Sequence, residues 1–180
     1  MASIFLWFQS NRGINNAISI KLNLVSLECL KTTEPGSDEI YFNLMSIDSQ
    51  GQSSITRIPP LYNLGTRFSQ VRFVRVKEGQ MISNARLTDK KLKNGESATF
   101  IVSLMETDLS LAQPDTLVGA AKVTIRNKNH TIETSWDIPK ANYASPTTME
   151  SKNGEHAFSM SDKKGKYKMV LKLDVPPKDS

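Results

Sequence analysis

Residues 97–125 read SATFIVSLMETDLSLAQPDTLVGAAKVTI, and this stretch limits the fold more than any other. Phe100, Val102 and Leu104 alternate with Ile101, Ser103 and Met105. Both faces of a strand here are largely apolar, as in a strand covered on both sides. The strand cannot run on through 110–114, because Pro114 has no amide hydrogen to give to a ladder. Leu117, Gly119, Ala121, Val123 and Ile125 then recur at period two and share one face. Residues 97–125 therefore describe a buried strand, an acidic loop and a second strand, with Glu106, Asp108 and Asp115 collected at the loop.

The same period recurs along the chain. Ile18, Ile20, Leu22 and Leu24 alternate with polar residues, after which Val25, Leu27 and Cys29 carry the apolar side. A phase change of one residue is what a β-bulge produces. Residues 31–38 (KTTEPGSD) form a loop, 39–47 a strand with Ile40, Phe42 and Leu44 on one face, and 48–51 a short turn. Residues 53–58 are a polar strand stopped by Pro59 and Pro60, hence an edge. Residues 67–76 alternate imperfectly, and 81–87 form a weaker strand. Asn94-Gly95 is a hairpin signal before the central strand. Ile132, Trp136 and Ile138 are the buried set of 130–138, and 156–160 form a short strand. Residues 165–175 (GKYKMVLKLDV) alternate most cleanly: Tyr167, Met169, Leu171, Leu173 and Val175 face one way, Lys166, Lys168 and Lys172 the other. No window holds helical periodicity over three turns. About eight to ten strands at this spacing predict an all-β fold, an antiparallel two-sheet β-sandwich.

The 180 residues allow one domain with extensions. The expected organisation is an N-terminal apolar extension or extra strand over 1–17, a single sandwich over 18–175 with a polar loop insertion at 139–155, and a mobile tail at 176–180. Cys29 is the only cysteine, so no internal disulfide forms, and its apolar neighbours mark it as a buried thiol. The apolar run 4–8 (IFLWF) lacks a basic leader and is shorter than the ~7 residues of a signal-peptide core. No stretch reaches the roughly 18 apolar residues of a membrane-spanning helix. The expected location is cytoplasmic or membrane-peripheral.

The net charge of +5 is concentrated. Residues 61–100 hold eight basic and three acidic residues, and 151–180 hold seven and four. Lys163, Lys164, Lys166, Lys168 and Lys172, extended by Arg72 and Arg75, are candidates for an anionic surface such as a phosphoinositide or phosphatidylserine headgroup. Nucleic acid is not an expected partner, because aromatic residues are not interleaved with the basic ones. Catalysis is not expected either. The two histidines, His130 and His156, have no nucleophile nearby in sequence, zinc would want three or four His/Cys ligands, and the glycines form no phosphate-cradling loop.

Two loops together resemble those of the C2-domain family. The first is Glu34-Pro35-Gly36-Ser37-Asp38-Glu39-Ile40-Tyr41-Phe42. The second is Glu106-Thr107-Asp108, then Asp115 followed by Leu117-Val118-Gly119. The resemblance covers roughly residues 18–138. It implies an eight-stranded antiparallel sandwich whose loops converge at one end. In calcium-binding members such loops clamp Ca²⁺ and dock the domain on anionic phospholipid. The resemblance puts Asp38, Asp108 and Asp115 at ligand positions, with Glu106 where an Asp is usual and Glu34 or Thr33 near the first. Ca²⁺ takes six to eight oxygens, which carboxylates from two loops can supply.

Two functions follow as expectations. One is a non-catalytic C2-like interaction or assembly module, of an adaptor, immunity-type or secretion-apparatus kind, that binds a protein partner. Phe5, Trp7 and Phe8 are then the partner-binding residues, and the N-terminal segment allows homo-oligomers. The alternative is binding to an anionic phospholipid membrane, through Ca²⁺ or through the basic patch. Without Ca²⁺, no cofactor is expected.

Overall fold

In a computed structural model, residues 17–59, 62–63, 70–71, 73–107, 115–139, 147–161 and 165–175 are described here, with 62–63 and 70–71 by backbone alone. The strands are β1 (Ile18–Lys31), β2 (Asp38–Asp48), β3 (Ser53–Ile58), β4 (Tyr62–Asn63), β5 (Gln70–Val71), β6 (Val74–Val76), β7 (Met81–Leu92), β8 (Ser97–Glu106), β9 (Thr116–Lys128), β10 (Thr131–Asp137), β11 (Thr147–Lys152), β12 (Glu155–Ser161) and β13 (Lys166–Asp174). One sheet has the order β11-β12-β13-β1-β7. The other has the order β10-β9-β8-β2-β3, with β6 pairing the start of β2. All described pairings within the two sheets are antiparallel, β4 and β5 form a small ladder of their own, and the sheets stack as an open sandwich. The expected two-sheet all-β fold is the observed one, with eleven strands in the sheets. No described helix is long and apolar enough to cross a membrane.

Period-two alternation builds the core directly. Ile20, Leu22 and Leu24 of β1, Phe100, Val102 and Leu104 of β8, and Tyr167, Met169 and Leu171 of β13 are all buried. Each such side chain stabilises the fold by about 1.5–3 kcal/mol over its exposed state. The phase change in β1 is a true irregularity: against β13 the register shifts between Leu24 and Ser26, after which Leu27 and Cys29 are the inward residues. Ile101, Ser103 and Met105 are only half-buried, so β8 is covered fully on one face and partly on the other. Gly119 of β9 lies against Met160 of β12. A Cβ on Gly119 would come within 2.7 Å of the methionine Cγ, so only glycine lets the sheets meet this closely here.

Two local expectations are corrected. The Asn94-Gly95 turn does not close a hairpin, because β7 pairs β1 in one sheet while β8 pairs β2 and β9 in the other. The turn is instead a crossover held from afar by Asn127. Gly95 N donates to Asn127 O at 2.7 Å, Asn127 N to Glu96 O at 2.9 Å, and the buried Asn127 amide to Leu92 O at 2.9 Å. Turn chemistry sets the local bend, and burial decides which sheet each arm joins. The second correction concerns 139–155, expected as a loop. It contains β11, which hairpins onto β12 through Asn153 (φ 54) and Gly154 (φ 76), the two positive φ values that a tight primed turn requires. β11 is an exposed edge strand, so no burial pattern marks it. The expectations for 1–16 and 176–180 fall outside the described residues.

Candidate functional site

Asp38 opens β2 and shares the inward side of that strand with Ile40, Phe42 and Leu44. It is wholly buried. A buried carboxylate must be paired or densely hydrogen-bonded to stay charged, and Asp38 is densely bonded. Thr33 N donates to both its oxygens at 2.9 and 2.8 Å, Thr33 Oγ1 at 2.9 Å, and Glu34 N at 3.2 Å. Tyr167 of β13 donates its phenol proton to Oδ2 from across the sandwich. Burial first, and then the bond to Asp38, hold the Tyr167 phenol protonated far above its ordinary range. Gly165, just before β13, makes room for this arrangement: a Cβ there would lie 2.6 Å from Thr33 Cγ2. Cys29 faces Tyr167 in the β1–β13 register. Burial raises its thiol pKa and the Asp38 charge raises it further, against an opposing hydrogen bond to Tyr167, so Cys29 is a buried thiol as expected.

Asp115 belongs to a different surface. Tyr41 alternates with Ile40 and Phe42 and so faces outward from β2. Its hydroxyl donates to Asp115 Oδ2 at 2.5 Å, while Thr107 Oγ1 donates to Oδ1 at 2.6 Å. The Arg57 guanidinium stacks on the Tyr41 ring, 3.1 Å from its centre, and lies 4.0 Å from Asp115 Oδ2. Burial raises the Tyr41 pKa, and the bond to Asp115 adds to it. Two residues before, Glu39 faces the same way and is paired with Arg75 of β6 at 2.9 Å.

The candidate ligands are thus divided. Asp38 and Glu106 are buried on the inward sides of β2 and β8, where Glu106 stands opposite Ile40. Asp115 lies on the outer side, and Glu34 is exposed with its backbone turned to Asp38. Among the described residues no three His, Cys, Asp or Glu side chains come together as a cation-binding group. Asp108 lies outside the described residues, as do Lys163, Lys164, Arg72, Phe5, Trp7 and Phe8.

The basic residues are divided too. Lys166, Lys168 and Lys172 line the outer side of β13, where Lys166 faces Lys31, Lys168 faces Glu28, and Lys172 lies 3.6 Å from Asp174. Arg75, read from the sequence as an extension of this patch, sits on the other sheet in its pair with Glu39. Of the histidines, His130 occupies the β9–β10 turn with φ 61, and His156 stacks on Trp136 at 4.1 Å between ring centres. That stack joins β12 of one sheet to β10 of the other.

Sequence reasoning did not single out Tyr167, Arg57, Thr107 or Glu39. One signal was present: Tyr167 is the only polar tip on the apolar face of 165–175, and a buried tyrosine hydroxyl needs a partner. No protein-family model matches this sequence, and no curated protein matches it.

Proposed function

We propose that the chain is a non-catalytic, C2-like interaction module that binds a protein partner. The observation that supports this reading is the engagement of its carboxylates. Asp38 accepts from Thr33, Glu34 and Tyr167, Asp115 from Tyr41 and Thr107, and Glu39 pairs with Arg75. These groups fasten loops to sheets, which is a scaffold's use of charge. The apolar segment of Phe5, Trp7 and Phe8 then supplies the contact, by strand addition to a partner's sheet edge. Where the acceptor is another copy, the contact is heterologous, so copies add head to tail into rings or open chains. Sedimentation velocity on the full chain tests this. Species larger than dimers should form as concentration rises, and Phe5→Ser with Trp7→Ser and Phe8→Ser should remove them without changing the melting temperature. Assemblies larger than dimers that persist despite these substitutions would overturn the N-terminal contact.

A second reading, peripheral binding to anionic membrane, has one observation in its favour: Lys166, Lys168 and Lys31 are exposed and adjacent on one sheet face. Vesicles of phosphatidylcholine with and without phosphatidylserine, with and without Ca²⁺, separate the readings. Co-sedimentation only with phosphatidylserine, lost in Lys166→Glu with Lys168→Glu, would favour the membrane. Loss instead on removing Ca²⁺ would assign the docking to the acidic loops.

A further inference from the structure

The turn before β3 fixes which way its backbone groups point. Asp48 N donates to Gln52 O at 3.0 Å, so 48 and 52 are a hydrogen-bonded pair, and bonded pairs alternate from there. Ser46–Ser54 and Leu44–Thr56 therefore exchange bonds between β2 and β3, while the N–H and C=O of Ser53 and Ile55 point to the edge on which no described strand pairs. Natural sheets guard such edges with charge, proline or bulges. β7 carries Arg86, Asp89, Lys90 and Lys91 with a left-handed Asn84 (φ 59), β10 carries Glu133 and Asp137, and β11 carries Glu150 and Lys152. In β3 the charged Arg57 is turned onto the Tyr41 ring, and Ser53, Ser54, Ile55 and Thr56 are all exposed and uncharged. Ile55 is 64% exposed, and on the outer face it stands beside Met45, which stands beside Ile101.

We propose that β3 pairs antiparallel with β3 of a second copy of this chain, about a two-fold axis at Ile55. The occupant follows from self-complementarity. Centred on Ile55, this register sets the edge-facing N–H and C=O of Ile55 against those of Ile55 in the second copy. Ser54 then faces Thr56 of that copy, hydroxyl to hydroxyl, and no like charges oppose. The apolar row Ile101–Met45–Ile55 continues through the axis into its image, giving one stripe across six strands. So short an edge buries less than the ~1,200 Å² at the low end of stable interfaces, so the dimer is weak and concentration-dependent. The contact is isologous and closes at two copies, unlike the head-to-tail N-terminal contact, and it does not rest on that reading.

Sedimentation equilibrium of the full chain from micromolar to millimolar concentration tests it. With Phe5, Trp7 and Phe8 all replaced by serine, which removes the larger N-terminal assemblies, a monomer–dimer equilibrium is expected. Ile55→Lys and Ile55→Pro should each weaken the dimer at least about tenfold. Proline is tolerated here because the Ile55 N–H serves no bond to β2; should that variant unfold, the lysine variant still decides. Ile55→Cys should form an intermolecular disulfide on mild oxidation, the ~5.5 Å Cα spacing of a bonded pair being within disulfide range. A chain that stays monomeric at millimolar concentration overturns the proposal. So does a dimer unaffected by Ile55→Lys, or an edge that pairs with an added extended peptide but not with itself.

Discussion

Tyr167→Phe removes one oxygen atom and little else, and so measures how far the buried end of β2 depends on a bond made across the sandwich. Asp38 has no solvent exposure, so water cannot replace the lost phenol. A hydrogen bond to a charged group contributes about 1.5–3 kcal/mol. In a domain of this length each kcal/mol moves the melting temperature by about 2–4 °C, so the expected fall is roughly 3–12 °C. Urea unfolding should show the midpoint lowered at unchanged slope. Tyr41→Phe is the control: it deletes the same kind of bond at 2.5 Å, but to Asp115, whose side chain is 37% exposed, and should cost less than about 1 kcal/mol. The two variants also differ in pH dependence. Because the Tyr167 phenol is held above its ordinary pKa in the fold, its contribution is fully present below about pH 10 and is lost as pH rises beyond that. Tyr167→Phe should lose its part of this alkaline limb and keep only the part set by the raised Tyr41 phenol, while Tyr41→Phe should keep the Tyr167 part. A variant within about 0.5 kcal/mol of the parent, or one less affected than Tyr41→Phe, would refute the reasoning.

Gly119→Ala should destabilise by about 1–3 kcal/mol through overpacking, since its Cβ would lie within 2.9 Å of Met160 Cβ, Cγ and Sδ; thermal melting of this variant checks it, and Gly119→Ala with Met160→Ala should cost less than the sum of the two single variants. His156 carries a pKa lowered by burial beside Trp136. A depressed histidine pKa means the unfolded chain binds the proton first, so this group's stability is present above about pH 6.5 and declines as pH falls through its folded pKa. Melting curves from pH 8 to 5 should show this decline, and His156→Phe, which can keep the stack, should flatten it.

The strands were legible wherever one face is buried. Tyr167, Met169 and Leu171, and the shift of phase from Leu24 to Leu27, follow from a period of two, which is a geometric property of the backbone. β11 was not legible, because a strand exposed on both faces leaves no alternation to read. The partners of Asn94-Gly95 were not legible either, because a turn reports its own φ angles and not which sheet its arms will join. At the candidate site, parity already places Asp38 on the apolar face with Ile40 and Phe42, and Tyr41 opposite, so the division of the carboxylates was present in the sequence. What parity cannot supply is the donor. Tyr167 lies 129 residues from Asp38, and Asp115 lies 74 from Tyr41. Those pairings come from the stacking of the sheets and the closure of long loops.

The central proposal is that Asp38 and Asp115 serve as internal fasteners and not as cation ligands. Calorimetric titration of the full chain with Ca²⁺, with melting temperatures read in parallel, tests it most directly. Donors already occupying Asp38 and Asp115 predict neither heat nor a melting shift up to millimolar Ca²⁺. Saturable binding would contradict the claim if it raised stability by about 2.7 kcal/mol at 100 times the dissociation constant and vanished in Asp108→Asn with Asp115→Asn.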